Sequence, residues 1–457
     1  MRATVAWSAY LVAGAGLAAY AVVTWSFALV ERRSVLYGEG AVANAARLAR
    51  DGIAYLDVDP QRFVSANYPP LYFHLASIGD PFISGRIASI VATLLVAALV
   101  LLIARSGGWL VGAALALGFV ATAPVAVWGP ALKPDLVALA LTAIAVVTLD
   151  RRRDLAAVAG FVIVLAAFAK PTALLPALAI GTWLGWTDRS GFARFGFGAA
   201  VAVLGAAITV YLDSVPDVFR HVVTWNALGW SAEQALLLGV LAIVVLGISV
   251  GVAAIGRGFG GVRLAYLVGA LGILVLGGRE GATINYALDL TVATSLALAS
   301  IAPRIRGNVL IPAAILAQLV IGTVFVDPLR VVPGRVPTTG AWSDPTNGGQ
   351  VALFFSVSGR YLVEDSGLLA ATGIAPVVDD LFLWSRLVER GLIDGSPILD
   401  QVRGGRMDAV VSQIELEHLD AAPAFERQRW TAALVSAVVA RYRLETHAGA
   451  LWIYVPR

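Results

Sequence analysis

Cysteine is absent from the 457 residues. That excludes disulfides, thiolate metal sites and cysteine nucleophiles. Charge is scarce: Asp, Glu, Lys and Arg make up 14% of the chain, about half the share usual in soluble domains. Histidine occurs four times, scattered and without an H-E-x-x-H pattern, so the sequence offers no zinc site. It contains no Walker A loop and no dinucleotide fingerprint in a strand–helix context. A net charge of +3 without a basic tail argues against a nucleic-acid partner. What remains is apolar: 59% of the residues are hydrophobic. A soluble core of this length cannot hide that much apolar surface, which excludes a soluble enzyme and predicts a polytopic membrane protein. The same figures exclude disorder.

Charge is thin over residues 1–326 and denser over 327–457. The expected organisation is therefore a membrane domain, 1–326, followed by a soluble α/β domain, 327–457. Apolar stretches of roughly 17–25 residues mark about eleven spans. They lie near 5–30, 83–104, 108–127, 134–149, 155–169, 172–187, 195–212, 234–256, 263–278, 284–302 and 309–326. The first is too long, and too weakly punctuated, for a cleaved signal peptide. The expected fold is thus mainly α, a transmembrane helical bundle with a small C-terminal α/β domain.

Arginine sets the orientation. With the N-terminus in the cytoplasm, short inner loops hold Arg2, Arg105, Arg151, Arg152, Arg153, Arg189, Arg194, Arg257, Arg263, Arg304 and Arg306. The positive-inside rule then places the C-terminal domain outside the plasma membrane. Arg32 and Arg33 fall on the other side. The long outer segments are 31–82, 213–233 and the C-terminal domain, and polar residues collect there rather than at midplane.

The outer loop 31–82 begins Tyr37-Gly38-Glu39-Gly40. Glycine on both sides of Glu39 lets backbone approach a ligand closely. A carboxylate fixed at the membrane edge can act as a general base; it can equally be a helix N-terminal acid favoured by the dipole. In 40–51 an apolar stripe of Val42, Ala45, Ala46 and Ala49 opposes Asn44, Arg47 and Arg50. That pattern predicts an amphipathic helix lying on the membrane and closed by Gly52. Asp57 and Asp59 read as turn residues. Tyr68-Pro69-Pro70-Leu71-Tyr72 forms an extended turn before the second span, and His74 reads as a ligand contact or an interfacial histidine.

Lysine occurs twice among 33 basic residues, at Lys133 and Lys170. Both precede proline at outer span ends, and a mobile ammonium there can hold a phosphate as a point charge. Snorkelling is the alternative, but arginine, which this chain prefers, would serve it equally. Asp135 is a local partner for Lys133 or a helix N-terminal acid. Arg86 enters the second span near its outer end, where it can pair with an acid or meet a lipid phosphate. Arg279 and Glu280 fall at the outer surface before the tenth span. Asn285 and Asp289 share one helix face behind them, and an intramembrane carboxylate is a functional candidate or a satisfied interhelical partner.

In the C-terminal domain the pattern predicts strands at 361–364, 375–378, 407–412 and 450–455 and helices at 347–357, 380–391, 397–403 and 425–441. Alternation of the two predicts a βαβ-type layer. Glu364-Asp365 and Asp379-Asp380 lie at strand ends, where they can touch a sugar or simply be polar loop ends.

Taken in order, Gly38-Glu39-Gly40, Tyr68-Pro69-Pro70-Leu71-Tyr72, Lys133-Pro134-Asp135, Lys170-Pro171, Asn285-Tyr286-Ala287-Leu288-Asp289, Glu364-Asp365-Ser366-Gly367-Leu368 and Asp379-Asp380 resemble the GT-C superfamily of membrane glycosyltransferases. Within it the likeness is to the bacterial protein-mannosyltransferase and aminoarabinose-transferase-like branch, and it covers most of the chain. The resemblance implies an outward-facing enzyme that takes a sugar from a polyprenyl-phosphate lipid and gives it to an envelope glycan, lipid or protein. It implies Glu39 as base and Lys133, Lys170 and Arg279 around the donor phosphate. Tyr37, Tyr68, His74, Asp135, Glu280, Asn285, Tyr286 and Asp289 are the further expected substrate contacts. No organic cofactor is called for, and a divalent cation is left open. The chain departs from many relatives in having Glu39 alone where they carry paired acids, and in its short tail. A transporter or flippase, a lipid-linked polysaccharide polymerase or ligase, and a non-catalytic envelope scaffold are the alternatives.

Overall fold

The computed structural model describes residues 1–57, 59–212, 215–326, 355, 358–448 and 451–457. Helix α1 (Arg2–Val30) opens the chain, and the first loop carries α2 (Glu39–Arg50) and α3 (Pro70–Ala76). The bundle continues with α4 (Pro81–Ala104), α5 (Trp109–Ala121), α6 (Ala123–Trp128), α7 (Asp135–Arg151), α8 (Ala156–Ala169), α9 (Leu174–Thr187) and α10 (Arg189–Leu212). After α11 (Val215–Phe219) and a π-helical turn, Arg220–Thr224, come α12 (Ala232–Ile255), α13 (Val262–Leu276), α14 (Leu288–Ser300), α15 (Ala302–Ile305) and α16 (Leu310–Val326).

Helix starts follow local chemistry. Asp80 caps α4 by accepting from Phe82 N at 3.1 Å, with Pro81 at the first helical position, where its missing N–H costs nothing. Ser231 caps α12 through Gln234 N. The stretch 108–127, expected as one span, is two helices. Thr122 is extended between them and Pro124 follows, because proline cannot continue the ladder. The stretch expected at 284–302 begins with a 3-10 turn, Ile284–Ala287. Among the described residues four helices are long and apolar enough to cross a membrane: α1, α4, α10 and α12. Shorter apolar helices such as α5, α13 and α16 accompany them, so helix length does not fix the expected count of about eleven spans.

One continuous apolar core joins α1, α4, α5, α7, α12, α13 and α14. Alanine and glycine let the helices approach closely. Between α8 and α10, a Cβ on Gly160 would collide with the Phe195 carbonyl and one on Gly198 with that of Ala157.

The C-terminal domain is a four-stranded mixed sheet, order β1-β2-β4-β3, with β1 (Tyr361–Val363), β2 (Ala409–Ser412), β3 (Tyr442–Ala448) and β4 (Leu451–Pro456). β1 pairs parallel to β2, while β4 runs antiparallel to both β2 and β3. Helices Leu381–Glu389, Ser396–Arg403 and Ala432–Arg441 cover one face, meeting Leu362, Val410 and Tyr454. Leu368, Leu369 and Ile374 cover the other. The expected strand 375–378 is instead an extended connection, bridging Val378 to Phe63 of the first loop. The expected helix 425–441 is two, Ala424–Arg427 and Ala432–Arg441, because Thr431 caps a fresh start by accepting from Leu434 N. The helix expected at 347–357 lies outside the described residues, Phe355 excepted. Strand β3 was not expected at all.

Helix α2 differs from its expected place on the membrane surface. Val42, Ala45 and Ala46 pack inward, while the polar face meets the C-terminal domain. Asn44 Nδ2 donates to Asp379 Oδ2 at 3.0 Å, and Arg47 donates to the Ala370 carbonyl. Gly40 allows the contact: a Cβ there would strike the backbone at Gly367. The C-terminal domain thus sits on the first loop, and a cavity forms where the two meet the bundle.

Candidate active site

Glu39 opens α2 and has no exposed surface. Its carboxylate accepts from Val35 N at 2.7 Å, Leu132 N at 2.6 Å and Arg86 Nη2 at 2.6 Å. Arg86 is equally buried and also donates to the carbonyls of Ala28, Glu31 and Arg33. This pair clamps the end of α1, the start of α2, α4 and the segment before α7 that carries Lys133. A base must reach the proton it takes. The carboxylate expected to be the base is shut away beneath Gly38, and Glu39 does not line the cavity.

The cavity itself has a volume of about 320 Å³. Tyr37 and Gly38 come to it from the loop after α1, Asn67 and Tyr68 from the turn before α3, and Lys133 from the turn before α7. Asn226, Arg279 and Asn285 close the bundle side, and Asp380, Phe382, Phe425 and Arg429 come from the C-terminal domain. Lys133 Nζ makes no hydrogen bond or ion pair among the described residues, and it lies so near Gly38 that a Cβ there would be 2.9 Å away. Gly38 also has φ +78°, a second reason for glycine. Burial pushes the Lys133 ammonium below its ordinary value, against the pull of Asp380, Glu39, Asp135 and Asp365. Arg279 Nη1 donates to Asn226 O at 2.9 Å, and the guanidinium has no carboxylate partner among the described residues. A site with two cations free of carboxylate partners attracts an anion.

Beneath the cavity lies a small buried polar nest. Lys170 Nζ donates to Asp135 Oδ1 at 2.6 Å, and Asn285 Nδ2 donates to the same oxygen at 2.9 Å. Lys170 also sits 5.3 Å from the Tyr286 ring centroid. Asp289 accepts from Tyr266 at 3.3 Å and completes the lining. Asn285 belongs to both spaces, so the nest supports the cavity floor. Lys170 is neutralised there and sits behind the lining rather than in it.

Of the expected contacts, the structure brings Tyr37, Tyr68, Lys133, Arg279 and Asn285 into one cavity. It sets Asp135, Lys170, Tyr286 and Asp289 behind it. His74 is exposed on α3 and away from the lining. Glu280 turns outward to an ion pair with Arg390 at 3.1 Å. Arg86 meets Glu39 rather than the cavity. The sequence carries no signal for Asn226, which comes from the segment before α12, or for Phe382, Phe425 and Arg429, which reach the cavity only through domain docking. Among the described residues no three His, Asp or Glu converge as a metal-ligand set.

A second space, of about 460 Å³, is a groove lined by apolar side chains of α8, α9, α10 and α11 with Pro69 and Pro171 at its edge. Pro69 is the chain neighbour of Tyr68 in the cavity, and Pro171 that of Lys170. ArnT from Cupriavidus metallidurans in the apo state superimposes on this chain with a TM-score of 0.61 at 14% identity, over 96% of each chain. The same protein bound to undecaprenyl phosphate gives 0.61 at 13% identity, over 96% of this chain and 97% of that one. The chain shares the fold of ArnT. No protein-family model and no curated protein matches it.

Proposed function

We propose that this chain is an inverting membrane glycosyltransferase that moves a sugar from a polyprenyl-phosphate donor to an acceptor hydroxyl outside the membrane. The observation that carries the reading is one juxtaposition. A polar cavity with the unpaired Lys133 and Arg279 lies one residue, Tyr68 to Pro69, from an apolar groove. A lipid phosphate has those two requirements: cations for its head and apolar surface for its tail. The solved ArnT complex holds undecaprenyl phosphate, a ligand of that chemistry on the same fold.

The acceptor oxygen attacks C1 of the sugar as the bond from C1 to the phosphate oxygen breaks. Negative charge grows on the leaving phosphate, and cations placed beside it stabilise that transition state more than the ground state. Lys133 and Arg279 hold the phosphate. Glu39 positions Lys133 through Leu132 N, and Tyr37, Tyr68 and Asn285 line the sugar space.

The test is transfer of labelled sugar from undecaprenyl-phosphate mannose or undecaprenyl-phosphate arabinose to an octyl glycoside, with the protein in nanodiscs. Lys133→Ala should raise the donor KM about 10- to 100-fold, the size of one lost charged hydrogen bond. An unchanged donor KM removes Lys133 from the phosphate site. Wild-type protein that neither binds nor uses either lipid refutes the function.

A further inference from the structure

Four acids lie buried where the first loop meets the C-terminal domain: Glu364, Asp365, Asp379 and Asp380. Three are held by hydrogen bonds elsewhere, Asp365 through one oxygen only, and all three are absent from the cavity lining. Glu364 takes Arg429 Nη1 at 2.6 Å and Ser412 Oγ at 2.9 Å. Asp365 takes Ser34 Oγ at 2.7 Å and Gly367 N at 2.9 Å. Asp379 takes Asn44 Nδ2 and Ser65 N.

Asp380 differs. Its Oδ1 caps the helix Leu381–Glu389 by accepting from Leu383 N at 3.0 Å, and it lies 3.4 Å from the Tyr37 hydroxyl. Its Oδ2 accepts no hydrogen bond among the described residues, and the residue lines the cavity that Lys133 enters. The carboxylate and the ammonium share this space without forming an ion pair. Each keeps a free face toward whatever lies between them. The Tyr37 hydroxyl accepts from Phe382 N at 2.9 Å, and the Arg429 guanidinium lies 4.2 Å from the Tyr37 ring centroid. The carboxylate is thus fixed from both domains.

We propose that Asp380, carried by the C-terminal domain, is the general base that takes the proton of the acceptor hydroxyl. The inference rests on the glycosyl-transfer reading above. The acceptor O–H proton passes to Asp380 Oδ2 as the acceptor oxygen bonds to C1. The C1–oxygen bond to phosphate breaks, and its electron pair stays on the phosphate facing Lys133. The proton then leaves to solvent as polyprenyl phosphate departs. Burial holds the Asp380 carboxyl above the ordinary carboxylate range, while Lys133 and Arg429 draw it back down. A carboxylate whose proton affinity is raised in this way is a stronger base. The groups facing it are Tyr37 and Tyr68 from the first loop, Lys133 from the turn before α7, Arg279 from the bundle, Arg429 from the C-terminal domain, and the neighbouring Asp365 and Asp379.

The test compares wild type, Asp380→Asn and Asp380→Ser in the nanodisc transfer assay with undecaprenyl-phosphate mannose or undecaprenyl-phosphate arabinose, whichever the wild type uses. Asn and Ser both keep a helix cap. Turnover should fall about 10²- to 10⁴-fold with the donor KM little changed. The acid limb of the wild-type pH profile should vanish in Asp380→Asn, and added formate should restore part of the activity of Asp380→Ser. Asp379→Asn, one position away and outside the cavity, should stay within a few-fold of wild type. If wild type transfers and Asp380→Asn turns over at full rate, the base is overturned and the function stands. A loss matched by Asp379→Asn, with no formate rescue and an unaltered pH profile, likewise overturns it. If wild type neither binds nor uses the donors, function and base fall together.

Discussion

Replacing Glu39 by Gln removes the charge that Arg86 faces and leaves the guanidinium buried. It also puts an N–H₂ group where three donors now converge. Breaking one side of a fully buried ion pair costs about 3–5 kcal/mol. Glu39→Gln should therefore lower the melting temperature of the detergent-solubilised protein sharply. Lys133→Ala should leave it unchanged or raised, because the ammonium is buried without a partner. Loss of activity by Glu39→Gln at an unaltered melting temperature would contradict the positioning role. At this scale the letters identify part of the site. Lys133 stood out because lysine is scarce, and an acid between two glycines stood out for its setting. Nothing in the letters says that Glu39 meets a guanidinium 47 positions later. Asp379 and Asp380 are adjacent and alike on paper; only docking turns one toward Asn44 and the other toward the cavity.

The contact of α2 with the C-terminal domain responds to pH through Asp379. Burial raises its carboxyl from the ordinary 3.8 to about 7. Its folded value lies above its unfolded value, so the folded state binds the proton more tightly. Ionised Asp379 weakens folding above about pH 7, and stability rises as pH falls from 7 toward 4, by about 1.4 kcal/mol per unit. His221, in the π-helical turn before α12, works in the opposite direction. Its Nδ1 accepts from Ala66 N at 3.1 Å, and Nε2 is buried without a partner among the described residues. Burial pushes it from 6.5 to about 3. The fold keeps the imidazole neutral, so its contribution is complete above pH 6.5 and is lost as pH falls toward 3. Melting midpoints measured from pH 8 to 4 should show a slope that reverses sign between the two variants. Asp379→Asn should be more stable than wild type at pH 8 and fall away in acid. His221→Gln should gain stability steadily down to pH 4. Equal slopes in both would refute the assignment. The sequence conveyed the long apolar helices well, because period and length agree there. It missed β3, whose exposed Arg443, Glu445 and His447 resemble the polar face of a continuing helix. It misplaced α2 because an amphipathic stripe looks the same whether its polar face meets water or Asp379.

Across the whole molecule the basic turns gather at one end of the bundle. Arg263 pairs with Asp150 at 2.5 Å, Arg304 donates to Gly256 O at 2.7 Å, and Gly107 packs against Ala302. The turns after α4, α7, α12 and α14 are therefore neighbours. Helix α8 runs from this end to Lys170 beneath the cavity, 14 residues or about 21 Å of rise. The positive-inside rule predicts that the basic end lies in the cytoplasm, and the proposed transfer requires the cavity and the C-terminal domain to face out. The absence of cysteine makes this directly testable. Single cysteines can be placed at Arg152, exposed in the basic turn, and at Arg390, on the C-terminal domain. Losing the partly exposed Arg390–Glu280 pair should cost no more than about 1 kcal/mol. In intact cells a membrane-impermeant maleimide should label Arg390→Cys and spare Arg152→Cys, which should react only once the membrane is opened. The reverse pattern would turn the cavity toward the cytoplasm and exclude an outer-leaflet reaction, whichever residue takes the proton.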